Sequence, residues 1–113
     1  MAGAFELDNA LILERLGGDE EIFSMMIDMF LQDVDNNCAT LAAALASGEA
    51  PALQREVHTV KGLLATFSDN QGAAAAYAIE QKAKAGQVQE LAAGIAELQA
   101  RLREVATVLR AAR

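Results

Sequence analysis

Residues 53–67, LQREVHTVKGLLATF, carry apolar side chains at steps of four, three, four and three residues. At about 100° per residue this spacing predicts a helix with one apolar stripe. The stripe consists of Leu53, Val57, Val60, Leu64 and Phe67. His58, Lys61, Gly62 and Ala65 fall together on a different face of the same helix. The sequence therefore predicts a histidine at the surface, with a cation one turn on and two small residues beside it.

His58 is the one histidine of the chain, and two interpretations of it are open. A lone surface histidine next to a lysine is usually a solvated pair without a task. However, a glycine in mid-helix costs roughly 1 kcal/mol relative to alanine, so Gly62 needs a reason. Close approach of another molecule to the imidazole would supply that reason.

Four more helical segments flank this stretch, and the predicted helices cover about residues 8–16, 19–47, 51–67, 70–85 and 88–111. Gly17 and Gly18 end the first helix, Asp19 caps the second, and Asp69 or Asn70 caps the fourth. The fifth has a regular apolar seam, made of Val88, Leu91, Ile95, Leu98, Leu102, Val105 and Leu109. Such a seam also fits a coiled-coil dimer.

Short connections and four stripes of similar width favour an all-α fold. The prediction is an antiparallel four-helix bundle with a short additional N-terminal helix, formed as a single domain over residues 1–113.

Composition excludes several classes of function. The net charge of −7 argues against binding to nucleic acid or to an anionic membrane surface. One histidine and one cysteine give too few ligands for a metal or haem site, so we expect no metal and no cofactor. The single cysteine, Cys38, lies on the apolar stripe of its helix and fits a reducing compartment. With no signal peptide and no membrane span in the sequence, we expect a cytoplasmic protein.

His-x-x-Lys-Gly at residues 58–62, followed by small residues and Thr66-Phe67, resembles the signature of histidine-containing phosphotransfer (HPt) domains of two-component phosphorelays. The resemblance extends to residues 7–21 at the start of the chain and to Ile79-Glu80, where the family often has Leu-Glu. The match spans nearly the whole chain. It implies the same helical bundle and a relay function.

The resemblance implies that His58 carries the phosphoryl group between aspartates of response-regulator receiver domains. Glu80 matches the family position that orients the imidazole, and it would accept a hydrogen bond from Nδ1–H and leave Nε2 to attack. Lys61 would stabilise the phosphoryl charge, with support from Lys84 and more weakly from Lys82. Without the resemblance, the favoured interpretation of Glu80 is a solvated carboxylate that pairs with Lys84 one turn on.

Gly62 and Ala65 would make room for a receiver. The candidate docking residues are Leu11, Ile12, Met25, Met29, Gln54 and Arg55, although the apolar ones are equally good candidates for the core. Two departures from the family pattern bear on partner choice. Ser68 stands where the family commonly has glycine, and Leu63-Leu64 are bulkier than its usual residues.

The function predicted from the sequence is therefore a histidine phosphotransfer protein, not an enzyme, without an autokinase or ATP-binding site. Its partners are receiver domains, with a hybrid sensor histidine kinase as a further candidate, and we expect a monomer. The alternative is an HPt-like docking module that binds a receiver or another signalling protein without carrying phosphate. The starting Met and the compact length mildly favour a free-standing protein over an excised domain.

Overall fold

The computed structural model describes residues 3–112, and this part of the chain contains five helices and no strand. The helices are α1 (Asn9–Arg15), α2 (Glu20–Ser47), α3 (Ala50–Thr66), α4 (Asn70–Lys84) and α5 (Ala92–Ala111). Helix α3 packs on α2 and α4, and α5 packs on α2 and α4, so each long helix has two neighbours. The predicted four-helix bundle with a short extra helix is confirmed. None of these five helices is long and apolar enough to cross a membrane.

The apolar stripe of α3 lies at the centre of the core. Leu53, Val57, Val60 and Leu64 are all 0% exposed, and Phe67 contacts the ring of Phe30 edge-on with centroids 5.4 Å apart. The α5 seam is buried in the same core, from Ile95 to Leu109. Since this seam packs inside the bundle, it is not presented to a second helix of a coiled coil. Cys38 is also buried, as its place on the stripe of α2 predicts.

Aspartate side chains cap three of the helices. Asp8 accepts a hydrogen bond from Leu11 N–H at the start of α1, and Asp19 accepts one from Ile22 N–H at the start of α2, both at 3.0 Å. Of the two candidates at α4, Asp69 is the cap. Each cap satisfies a backbone donor that has no partner inside the helix.

Helix α5 begins at Ala92 rather than at about residue 88. Gly86 adopts a left-handed backbone conformation with φ of +81° and reverses the chain after α4. Val88 and Leu91 are buried, at 9% and 2% exposure, but they lie in the connecting turn. Their spacing fits the α5 seam because they cover the end of the core, not because they are helical.

Ser68 is the non-glycine residue with positive φ, at +61°, among residues 3–112. It follows the last turn of α3, where the N–H of Asp69 donates to Leu64 O at 2.9 Å. This is the left-handed C-terminal position that glycine fills most easily. The departure from the family glycine therefore leaves the turn intact but places a side chain where it is sterically disfavoured.

Replacing Ser68 by glycine is expected to stabilise the domain by about 1 kcal/mol, since a left-handed conformation costs a non-glycine residue roughly that much. Loss of the exposed hydrogen bond from Arg15 Nη1 to Ser68 Oγ, 2.8 Å long, offsets only a small part. Urea unfolding measures the change. Ser24→Gly, at an exposed position inside α2, is the matched control and should destabilise instead. Equal effects of the two substitutions would contradict the assignment.

A buried ion pair ties the α3–α4 turn to α5. Arg101 donates from Nη2 to Asp69 Oδ1 at 2.6 Å and from Nε to Asp69 Oδ2 at 2.7 Å. Both residues are at least nine-tenths buried. Arg101 Nη1 also donates to the Gly3 carbonyl and, at 3.2 Å, to Glu104 Oε1. Gly72 is required beside this pair, because a Cβ there would lie 2.1 Å from Asp69 Oδ2.

Candidate functional site

The imidazole of His58 projects from the middle of α3 into solvent. Its side chain is 65% exposed, whereas the adjacent Val57 and the nearby Val60 are fully buried. The phase of the helix causes this difference, because the apolar stripe faces the core and His58 lies off it. The ring is therefore accessible to a second molecule, while the backbone of His58 is held in place by the packing of α3 on the core.

Glu80 faces His58 from α4. The two helices pack through small residues, with Ala76 and Ala83 fully buried on either side of Glu80. This close packing brings Glu80 Oε2 to 2.9 Å from His58 Nδ1. Glu80 itself is only 7% exposed, so its carboxylate sits at the floor of the site, below the imidazole.

Lys61 completes a three-residue cluster. Its Nζ donates to Glu80 Oε1 at 2.7 Å, so the two carboxylate oxygens serve two different partners. The ammonium also lies 5.2 Å from the centroid of the Tyr77 ring. Lys61 is thus not a free cation beside His58. It is held by the same carboxylate that holds the imidazole.

The Glu80 carboxylate is ionised at neutral pH. Its hydrogen bond from Lys61 is the main cause that lowers the pKa of Glu80 below the ordinary value of 4.5; burial opposes this, and the hydrogen bond from His58 adds to it. An ionised carboxylate can only accept hydrogen bonds. The contact with His58 therefore places the proton on Nδ1 and leaves the lone pair on Nε2, which faces away from Glu80.

Removing the ammonium with Lys61→Met is expected to raise the pKa of Glu80, since the largest lowering cause is lost. Because the pKa of Glu80 is lower in the folded than in the unfolded chain, ionised Glu80 stabilises the fold at pH values above its unfolded-state pKa. That contribution is lost as pH falls through the folded-state pKa. NMR titration of the Glu80 carboxyl carbon measures the shift. Lys82→Met, at an exposed lysine of α4, the helix of Glu80, is the control. An unchanged Glu80 pKa in Lys61→Met would contradict the pairing of Lys61 with Glu80.

The small residues around His58 leave an open surface. Gly62 and Ala65 are both exposed, and a Cβ added to Gly62 would meet no atom within 4 Å. The fold of this chain therefore does not require glycine at position 62. Lys82 and Lys84 are exposed, and Glu80 pairs with His58 and Lys61 rather than with Lys84. Leu63, the bulky departure from the family pattern, is half-buried against the core.

The predicted docking residues divide into two groups. Leu11, Met25 and Met29 are 37%, 56% and 60% exposed, Arg55 is exposed, and Gln54 is half-buried. Gln54 and Arg55 line a shallow depression beside His58, together with Pro51, Thr59 and Glu80.

The interpretation of Ile12 as a docking residue is wrong: it is 1% exposed. Neighbours along a helix point about 100° apart, so Ile12 faces the core when Leu11 faces solvent.

Sequence reasoning missed two exposed residues. Ile22 is 45% exposed on α2, in a row with Met25 and Met29 at steps of three and four. That spacing was visible in the sequence and could have identified it. Tyr77 is 53% exposed, three residues before Glu80 on α4. A spacing of three residues places Tyr77 on the Glu80 side of its helix.

Among residues 3–112, no group of three or more His, Cys, Asp or Glu side chains could hold a metal ion.

Comparison with known proteins gives one family and two similar structures. The sequence profile of the Hpt domain matches residues 25–108, well over half of the chain. The crystal structure of histidine-containing phosphotransfer protein B (HptB) from Pseudomonas aeruginosa superimposes with a TM-score of 0.83 at 24% identity, covering 96% of this chain and 95% of HptB. The HPT domain of a sensor hybrid histidine kinase from Shewanella gives 0.77 at 18% identity, covering 94% and 92%. At these identities, the two structures show a shared fold. No curated protein matches the chain.

Proposed function

Because the chain belongs to the Hpt domain family, whose members carry phosphoryl groups on a histidine in phosphorelays, we propose that His58 is the phosphoryl carrier of this domain. The observation that carries the proposal is the 2.9 Å contact between His58 Nδ1 and the ionised Glu80 carboxylate, beneath a ring that is 65% exposed. This contact fixes both the tautomer and the direction of the imidazole.

The chemistry needs no proton transfer on this chain. The Nε2 lone pair attacks the phosphorus of a phosphorylated receiver aspartate, the N–P bond forms, and the acyl P–O bond breaks. Its electron pair leaves with the aspartate carboxylate. Nδ1 keeps its proton throughout, so the phosphorylated ring carries a positive charge. Glu80 stabilises that cation, and the same steps in reverse pass the phosphoryl group to a second receiver.

Lys61 would supply positive charge to the phosphoryl group. A phosphoryl group brings close to two negative charges at neutral pH, and Lys61 lies one helical turn from His58. Its ammonium already balances Glu80, at 2.7 Å, and would be shared with the phosphoryl oxygens. Lys84, and more weakly Lys82, would add to the positive field from α4.

Hpt domains work with response-regulator receivers and with hybrid kinases. Phosphoryl transfer depends on in-line positioning and charge stabilisation, and we propose that the receiver supplies the metal ion and the acidic residues that bind it. In this proposal the domain is a carrier without its own kinase activity and acts as a monomer in the cytoplasm, in a single unit over residues 1–113. The buried free thiol of Cys38 is compatible with a reducing compartment.

The receiver would dock over the open surface around Gly62 and Ala65 and on exposed side chains nearby. From the predicted set we retain Leu11, Met25, Met29, Gln54 and Arg55, and Ile22 joins it by its exposure. Three flexible or branched apolar side chains in one row, at residues 22, 25 and 29, suit a surface that adapts to a partner.

Replacing Gly62 by alanine separates docking from folding. The domain should become more stable by about 0.5–1 kcal/mol, because alanine is the better helix former and its methyl group meets nothing within 4 Å. The receiver concentration for half-maximal transfer should rise roughly ten-fold, since an added methyl group costs about 1–3 kcal/mol in a packed contact. Urea unfolding and transfer kinetics measure the two effects. Unchanged transfer would rule out close approach at Gly62.

A direct experiment separates the relay from the alternative of a docking module. The purified chain is mixed with a receiver domain carrying radioactive phosphate, and the label on each protein is followed over time. The relay predicts label on this chain that is labile in acid and stable in alkali, as expected of an N–P bond, and its passage to a second receiver. A stable complex with the receiver and no label on this chain would favour docking without transfer.

A further inference from the structure

Tyr77 lies at the edge of the site with no part in the core. Its side chain is 53% exposed, on a helix whose other large apolar residue, Ile79, is buried. Its ring is 5.2 Å from Lys61 Nζ, within the distance at which an aromatic face attracts a cation. Neither the attack by His58 nor its orientation by Glu80 accounts for this ring.

Two groups on α4 contact the Lys61 ammonium. Tyr77 and Glu80 are three residues apart on α4 and share a face, and Lys61 reaches across from α3. The carboxylate lies 2.7 Å from Nζ, and the ring centroid lies 5.2 Å from it. A lysine side chain is a flexible four-carbon stem, and this one is 27% exposed. The ring reduces the number of positions that the ammonium can occupy.

We infer that Tyr77 is a positioning residue for phosphoryl transfer, which holds the Lys61 ammonium beside Glu80 and His58. This inference rests on the proposed function of His58. The oxygens of a phosphoryl group bound to Nε2 need a cation in a fixed place, and Lys61 is the cation that pairs with the same carboxylate as His58. Tyr77 acts through Lys61 and does not contact the reacting atoms. The interaction needs the face of the ring and not the hydroxyl group.

Two substitutions at Tyr77 test the role of the ring. Single-turnover transfer from a phosphorylated receiver to this chain is measured at saturating receiver. Tyr77→Leu keeps an apolar side chain without a π face, and it should lower the transfer rate constant about three-fold, the size expected of one partly exposed cation–π contact. Tyr77→Phe keeps the face and should transfer at the wild-type rate. A loss of equal size in Tyr77→Phe would overturn the inference.

A double-mutant cycle with Lys61→Met shows whether Tyr77 acts through Lys61. In the Lys61→Met background, Tyr77→Leu should have no further effect on the rate constant. An unchanged three-fold loss in that background would overturn the inference. So would an effect confined to the receiver concentration for half-maximal transfer, which would make Tyr77 a docking residue. Gln81→Leu, at an exposed α4 position next to Glu80, controls for added apolar surface.

The outcome for the wild-type chain separates this inference from the proposed function. A wild-type chain that takes no label from the receiver overturns the proposed function, and the inference falls with it. A wild-type chain that takes label, together with a Tyr77→Leu variant that transfers at the wild-type rate, overturns the inference alone.

Discussion

Replacing His58 by glutamine is expected to abolish phosphoryl transfer, with label on the chain falling at least a thousand-fold, to background. Glutamine keeps a polar side chain of similar length but has no nucleophilic nitrogen, because its amide lone pair is delocalised. No other histidine exists in the chain to take its place. The side chain of His58 is 65% exposed, so the substitution should change the free energy of unfolding by less than about 1 kcal/mol.

The measurement is label on the chain after incubation with phosphorylated receiver, with urea unfolding on the same sample. Binding of the receiver should persist in His58→Gln, because the docking residues are untouched. Thr59→Gln is the matched control, since Thr59 is the exposed neighbour of His58 in the same depression. Residual acid-labile label on His58→Gln would show that another nitrogen carries the phosphoryl group.

Replacing Arg101 by methionine is expected to destabilise the domain by about 3–5 kcal/mol, the usual result of removing one partner from a buried ion pair. Asp69 would lose its charged partner in a site that is 3% exposed, with one N–H, that of Gly72, left to bond it. The Gly3 carbonyl and Glu104 would lose their contacts with the same guanidinium. Urea or thermal unfolding measures the loss.

Arg103→Met is the matched control, two residues along the same helix. Arg103 Nη1 pairs with Asp35 Oδ1 at 2.8 Å, but the two side chains are 59% and 82% exposed. An exposed pair of this kind contributes about 0–1 kcal/mol. Adding Asp69→Asn to Arg101→Met should recover part of the stability, because asparagine keeps the helix cap without a charge. Similar losses for Arg101→Met and Arg103→Met would contradict the assignment of a buried pair.

The sequence predicted what depends on local periodicity. Apolar spacing along α3 and α5 identified the core stripes, and His58 was predicted at the surface because it lies off the α3 stripe. Aspartates before apolar runs identified the starts of α2 and α4. These features depend on residues within one or two turns of one another, and a single sequence contains them in full.

The contacts between helices could not be predicted in the same way. Asp69 and Arg101 are 32 positions apart, and their pairing depends on how α5 lies against the α3–α4 turn. Lys61 was expected to face the phosphoryl group, and its bond to Glu80 depends on the axial register of α3 and α4. Glu80 itself was identified through its resemblance to a family position. Apolar spacing alone does not distinguish Glu80 from an ordinary solvated carboxylate.

Ile12 shows a further limit. In α1 four consecutive residues, 10–13, are apolar, and a shift of one residue in phase exchanges the buried and exposed sets. Leu11 and Ile12 were both candidates for docking, and the packing of α1 on the bundle buries Ile12 and leaves Leu11 37% exposed. The left-handed backbone conformation of Ser68 could not be predicted from the sequence either. Glycine at such a position indicates a positive φ, whereas serine does not.

The role of His58 can be measured at the ring nitrogen to which the phosphoryl group attaches. The chain is labelled with ¹⁵N in histidine, phosphorylated by a receiver, and examined by ¹H–¹⁵N correlation spectroscopy, in which the two ring nitrogens and any phosphorus coupling are resolved. Since His58 is the sole histidine, the spectrum needs no assignment by mutation. We expect phosphorus on Nε2 and a proton on Nδ1 that is protected by Glu80. Phosphorus on Nδ1, or a spectrum unchanged by phosphorylation, would contradict it.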